Sequence, residues 1–144
     1  MQINLNAPVL QKNQIFIAAD PASVWEVLTD INAWPNWNKK ISKAQIKTQP
    51  QAGVSFSWTI NGTAISSKLH TVSFQESFGW TGKTFGASAI HNWYIEAHQD
   101  GTLVKVEESM EGWLIFLFKN TMNKALAEDM ALWLELLKKK CEFS

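Results

Sequence analysis

The stretch "VSFSWTINGTAISSKL", residues 54–69, leaves the chain few choices. Val54, Phe56, Trp58 and Ile60 alternate with Ser55, Ser57 and Thr59, which puts the apolar side chains on one face of a strand. Asn61-Gly62 then supplies two residues tolerant of positive φ, the strongest short-range signal for a two-residue hairpin turn. Such a turn pairs Trp58 with Ile65 and Phe56 with Ser67, inner residue against inner residue, as the pleat requires. The chain is thereby committed to an antiparallel sheet with one buried face.

The same alternation recurs on both sides. "SKAQIK" (42–47) sets Ser42, Ala44 and Ile46 against Lys43, Gln45 and Lys47, and "ESFGWTGKT" (76–84) turns Phe78 and Trp80 inward. "AIHNWYIEAHQDGTLVKVEES" (89–109) reads as a second hairpin. If Asp100-Gly101 is its loop, Ala97 pairs with Val104, Ile95 with Val106 and Trp93 with Glu108. Glu96 then stands opposite Lys105 on the outer face, a favourable cross-strand pair. In this register His91 and Glu108 are diagonal neighbours on the inner face.

Helical signals bracket the strands. "NQIFIAA" (13–19) is a first strand, with Ile15 and Ile17 on one face. "DPASVWEVLTDI" follows as a helix, capped by Asp20, with Pro21 at its first position and a stripe of Val24, Val27, Leu28 and Ile31. "NAWPNWN" (32–38) is a break with one short helical turn, because Trp34 precedes a proline. Residues 115–141 form a long helix with Phe118, Met122, Ala125, Leu126, Asp129, Trp133, Leu136 and Leu137 as its stripe. Asp129 interrupts that stripe and reads as solvated. The order is strand, short helical region, about six antiparallel strands, long helix. At 144 residues this is one α+β domain, 1–144, with its helices on one face of the sheet.

Composition removes several classes of function. The chain has no Arg, the preferred fork for phosphate and guanine, so nucleic acid is not an expected partner. Lys138, Lys139 and Lys140 lie near a helix end, where they suit its dipole. Cys141 is the only cysteine, so no intrachain disulfide forms. No basic segment followed by an apolar one opens the chain, and a cytoplasmic location is expected. "GWLIFLF" (112–118), the longest apolar run, is too short to span a bilayer. "SFGWTGKT" ends like a phosphate-binding loop but has Ser77 in place of the first Gly and sits within a strand. His91 and His98 fall on opposite faces, so no metal ligand set and no cofactor is expected. No serine nucleophile elbow is present.

Three segments carry a family resemblance: "IFIAADPASVWEVLTDINAWPNWN", "AIHNWYIEAHQDGTLVKVEES" with Gly112, and "WLELLKKKCE". In this order they resemble the START-related helix-grip superfamily, within it the polyketide cyclase/dehydrase and lipid-transport branch. The resemblance implies a curved antiparallel sheet of about seven strands wrapped around the C-terminal helix, with a cavity between them. It also implies a hydrophobic small-molecule ligand such as a lipid, sterol, polyketide or quinone. Some members of such families are cyclases or aromatases, and others bind proteins.

The residues themselves favour a cavity. Eight Trp and eight Phe against one Tyr can fill a core or line a pocket for a flat, greasy molecule. Phe56, Trp58, Phe78, Trp80 and Trp93 fall on inner faces of successive strands. So do Ser67, Thr71, His91 and Glu108, polar groups that are costly in a dry core. Leu69, Met110 and Met122 add adaptable apolar wall. Trp34 and Trp37 either flank the cavity mouth or pin the short helical segment. The leading expectation is a binder of a hydrophobic molecule oriented by His91, Glu108 and Ser67. A rival is a cyclase, aromatase or dehydrase in which His91 moves a proton without a metal. A further rival is a protein-interaction module of co-chaperone-like or ribosome-associated type.

Overall fold

The computed structural model describes residues 1–143. Strands β1 (Val9–Ile17), β2 (Ile41–Gln45), β3 (Ser55–Ile60), β4 (Thr63–Ser73), β5 (Ser77–Thr84), β6 (Ala87–His98) and β7 (Gly101–Glu111) form one curved antiparallel sheet. Its order is β1-β7-β6-β5-β4-β3-β2. Between β1 and β2 lie helix α1 (Pro21–Thr29), a 3₁₀ turn (Ile31–Ala33) and the short helix α2 (Trp34–Trp37). After β7 come α3 (Trp113–Leu117) and the long α4 (Lys119–Phe143). This is the helix-grip arrangement the sequence predicts.

Local chemistry explains the element ends. Asp20 caps α1 by accepting a 2.8 Å hydrogen bond from Ser23 N–H, with Pro21 in the first turn. At the β3–β4 turn Asn61 and Gly62 have φ of 50° and 79°, the two positive values a type I′ turn demands. Trp58 pairs with Ile65 and Phe56 with Ser67, as the alternation predicts.

The β6–β7 hairpin corrects the sequence-based register by two residues. His98 pairs with Gly101, so the turn is Gln99-Asp100, and Gly101 already belongs to β7. Gly101 is needed for contact, not for a turn: a Cβ there would lie 2.2 Å from the Ile17 carbonyl oxygen. A slip of two preserves every inward face but changes the partners. Trp93 pairs with Val106, and His91 stands directly opposite Glu108. Lys105 faces Tyr94, yet still reaches Glu96 along the diagonal at 2.6 Å.

Helix α4 is tied to the edge strand β1 and to the β3–β4 turn. On the β1 side, Asn123 Nδ2 donates to the Pro8 carbonyl at 2.9 Å, and Asn123 Oδ1 accepts from Leu10 N–H at 3.1 Å. Near the other end of β1, Lys138 Nζ donates to the Phe16 carbonyl and Glu142 accepts from Ala18 N–H, at 2.9 and 2.8 Å. On the far side, Asn61 Nδ2 in the β3–β4 turn donates to Asp129 at 2.9 Å. Asp129 is thus a half-buried clamp rather than a solvated interruption.

The helix stripe also departs from expectation. Met130, Trp133, Leu134 and Leu137 are buried, whereas Met122, Ala125, Leu126 and Leu136 are only half-buried. Phe118 is exposed, because α3 ends there and α4 starts with a new phase. In α3 only Ile115 is buried; Trp113, Phe116 and Leu117 point outward. In α1 the buried residues are Val24, Trp25 and Leu28, with Val27 half-buried.

Candidate functional site

The pairing of four strands lays Leu69, Trp80, His91 and Glu108 in one row across the sheet. Phe56 and Trp58 of β3, Ser67 of β4, Phe78 of β5 and Trp93 of β6 flank it, and Phe56, Trp58, Ser67, Leu69, Phe78, Trp80, His91 and Trp93 are all buried. Trp34 from α2 and Trp133 from α4 come down onto the same rings. Trp34 lies 5.3 Å from Trp133, 5.4 Å from Trp80 and 5.5 Å from Trp58, centroid to centroid. Most of these contacts are edge-to-face, the arrangement the ring quadrupole favours.

The polar groups in this setting are partnered in a particular way. Trp34 Nε1 donates to the Leu28 carbonyl at 3.0 Å, which fixes α2 against α1 and puts the ring at the centre of the cluster. Trp37 is half-buried beside it. Trp58 Nε1 donates to Ser67 Oγ at 2.9 Å, so the Ser67 hydroxyl is engaged by the cluster itself. His91 Nδ1 is hydrogen-bonded to Glu108 Oε1. A carboxylate only accepts, so Nδ1 carries the proton and points Nε2 the other way. Among the described residues, His91 Nε2, Trp93 Nε1 and Trp133 Nε1 are buried and have no hydrogen-bond partner.

Glu108, Met110 and Met122 are half-buried, unlike the rings. Met110 sits near the end of β7 and Met122 in the first turns of α4, outside the buried cluster. Thr71 does not face inward as predicted: a bulge at His70 pairs it with Gly79, on the face opposite Phe78 and Trp80, and it shares a 2.7 Å hydrogen bond with His70 Nδ1. Burial pushes the His70 pKa down. Burial likewise raises that of Asp129, opposed by Lys40 and the Asn61 hydrogen bond. The predicted site omitted Trp133 and left Trp34 between the cavity mouth and the short helical segment, whereas Trp34 is fully buried at the centre of the rings. Trp133 was visible as the largest ring on the α4 stripe, but its contact with His91 joins elements that no sequence periodicity relates.

An open groove of about 860 Å³ lies over Lys43, Ser57, Thr59, Ser66 and Lys83, and includes neither His91 nor Glu108. Among the described residues no three His, Cys, Asp or Glu side chains are grouped to hold a metal ion. No helix among them is long and apolar enough to cross a membrane.

A family model described as polyketide cyclase/dehydrase and lipid transport matches residues 12–142. No curated protein matches the chain. Solved structures show the same fold at low identity. A hypothetical protein, jhp0584, from Helicobacter pylori superimposes with a TM-score of 0.86 at 16% identity, over 96% of this chain and 90% of that one. A START superfamily protein from Mycobacterium smegmatis gives 0.65 at 15%, over 89% and 98%. The di-domain aromatase/cyclase StfQ of the steffimycin biosynthetic pathway gives 0.77 at 12%, over 92% of this chain and 50% of that one.

Proposed function

This chain belongs to the polyketide cyclase/dehydrase and lipid-transport family, and we propose that it binds a hydrophobic, ring-containing or lipid-like molecule between the sheet and α4. The observation that carries this reading is that His91, paired with the half-buried Glu108, is packed among Trp80, Trp93 and Trp133. A core kept only for stability gains little from such a pair, since well-packed apolar residues of similar volume commonly do as well or better. A ligand gives both groups a purpose, with the rings supplying stacking area and the pair supplying orientation.

The rings already touch one another, so binding exchanges ring–ring contacts for ring–ligand contacts. The first half of α4, with Met122 and Leu126 half-buried, is the natural place for entry, beside the Asn61–Asp129 clamp. Native mass spectrometry of freshly purified protein, followed by tryptophan quenching against lipids, quinones and polyphenols, tests this. A ligand whose affinity falls in His91→Ala is expected. No ligand by either method overturns the reading.

A second reading is favoured by the same pair. Glu108 holds Nδ1 and leaves His91 Nε2 to exchange a proton, the layout of a general acid–base in a cyclase, aromatase or dehydrase. Turnover of a bound polyketide-like compound, lost in His91→Ala, would separate catalyst from carrier.

A further inference from the structure

His91, Trp93 and Trp133 form a triangle of rings, with centroids 5.5 Å apart for His91–Trp93, 5.7 Å for His91–Trp133 and 5.5 Å for Trp93–Trp133. Each is at least nine-tenths buried, with exposures of 5%, 1% and 4%. Each also carries a nitrogen without a partner among the described residues. Buried polar groups are paired in the great majority of cases, so three orphans in one triangle ask for a common explanation.

We propose that these three side chains are a subsite for one hydroxyl oxygen of the ligand, a phenol or an alcohol on an otherwise apolar ring system. The inference rests on the binding reading above and names the chemistry it selects. An indole nitrogen can only donate, so Trp93 and Trp133 present two N–H groups. In the tautomer whose Nδ1 proton is donated to Glu108, Nε2 is an acceptor. Two donors and one acceptor match a hydroxyl, which has two lone pairs and one proton. A carbonyl oxygen would leave Nε2 unpaired, and a bare hydrocarbon would leave all three. A site built to pair a hydroxyl rejects the analogue that lacks it far more strongly than an apolar wall rejects a missing methylene. Trp80 stacks on the opposite role: parallel to His91 at 4.5 Å, it holds the imidazole plane while Glu108 sets its rotation.

The test compares 2-naphthol, naphthalene and 2-naphthoate by tryptophan quenching, together with ¹H–¹⁵N spectra of the indole N–H groups. Trp→Phe variants assign the Trp93 and Trp133 signals. The expected result is 2-naphthol binding at least tenfold tighter than naphthalene, with both indole signals shifted in the wild-type protein. Trp133→Phe should cut that preference several-fold, and Trp93→Phe provides a second variant if the first folds poorly. Equal affinity for naphthol and naphthalene, as when a trapped water satisfies the three nitrogens, overturns the inference while leaving hydrophobic binding intact. Tighter binding of naphthoate overturns it in favour of an anion site with His91 protonated. If naphthol does not bind at all the inference falls, and the binding reading is judged on its own wider panel.

Discussion

The imidazole of His91 lies flat on the indole of Trp80, their centroids 4.5 Å apart and their planes within 3° of parallel. The stack follows from register, because Trp80 and His91 are direct partners between β5 and β6, as His91 and Glu108 are between β6 and β7. Sheet geometry therefore sets both the plane of the imidazole and the carboxylate that holds it.

Separating stack from pair predicts a pattern of stabilities. His91→Phe keeps a ring on Trp80 but leaves the Glu108 carboxylate unpaired, at a cost of about 1–3 kcal/mol. Adding Glu108→Leu removes the stranded group and should recover most of that loss. Urea denaturation of the three proteins measures it. A double variant no more stable than His91→Phe would show that the pair is not the source of the loss.

Gly79 sits beneath His70 and Asn92. A Cβ there would come within 2.5 Å of both Asn92 Oδ1 and His70 Cε1. Gly79→Ala is expected to cost about 1–3 kcal/mol as neighbours are forced aside. Gly82 is the control, since its added Cβ would stand 3.2 Å from Ile65 and 3.3 Å from Ser67. Its alanine variant should melt several degrees above that of Gly79.

Burial lowers the pKa of His70, so the unfolded chain takes up a proton there before the folded chain does. The stability tied to this group is complete above the ordinary histidine pKa of 6.5 and is lost as pH falls towards the folded value. Wild-type protein should thus lose more stability than His70→Gln between pH 7.5 and pH 5.5. Parallel urea midpoints for the two proteins across that range would remove His70 as the cause.

Cys141 packs partly buried against the core, and burial pushes its thiol up to about 11. Its thiolate is scarce at pH 8. Reaction with a disulfide reagent should be slow in the folded protein, fast in urea, and should quicken with pH up to 10. Equal rates folded and unfolded at pH 8 would contradict this.

Parts of this structure were legible because a local rule had one solution. Asn61-Gly62 permitted a single turn, and the turn carried the register of Phe56, Trp58, Ile65 and Ser67 with it. Asp100-Gly101 looked alike but misled, since Gly101 answers to the nearby Ile17 carbonyl and not to a turn. The resulting slip kept His91 and Glu108 on the correct face while hiding that they are direct partners. Phe118 was misplaced because one helical period was extended through the break that ends α3. Trp34 and Trp133 were read one at a time, whereas their meeting at 5.3 Å depends on how two distant helices dock. Family membership needed none of this geometry.

The order of strands has a consequence for how the protein is made. Strands β2 to β6 each pair with a sequence neighbour and can zip together hairpin by hairpin as they leave the ribosome. β1 cannot: its neighbour in the sheet is β7, and Val9 waits for Met110. Its remaining anchors, Asn123, Lys138 and Glu142, are synthesised later still. β1, made before the other six strands, is therefore among the last of them to be secured, and closing that long loop is an entropic step that waits for β7 and α4.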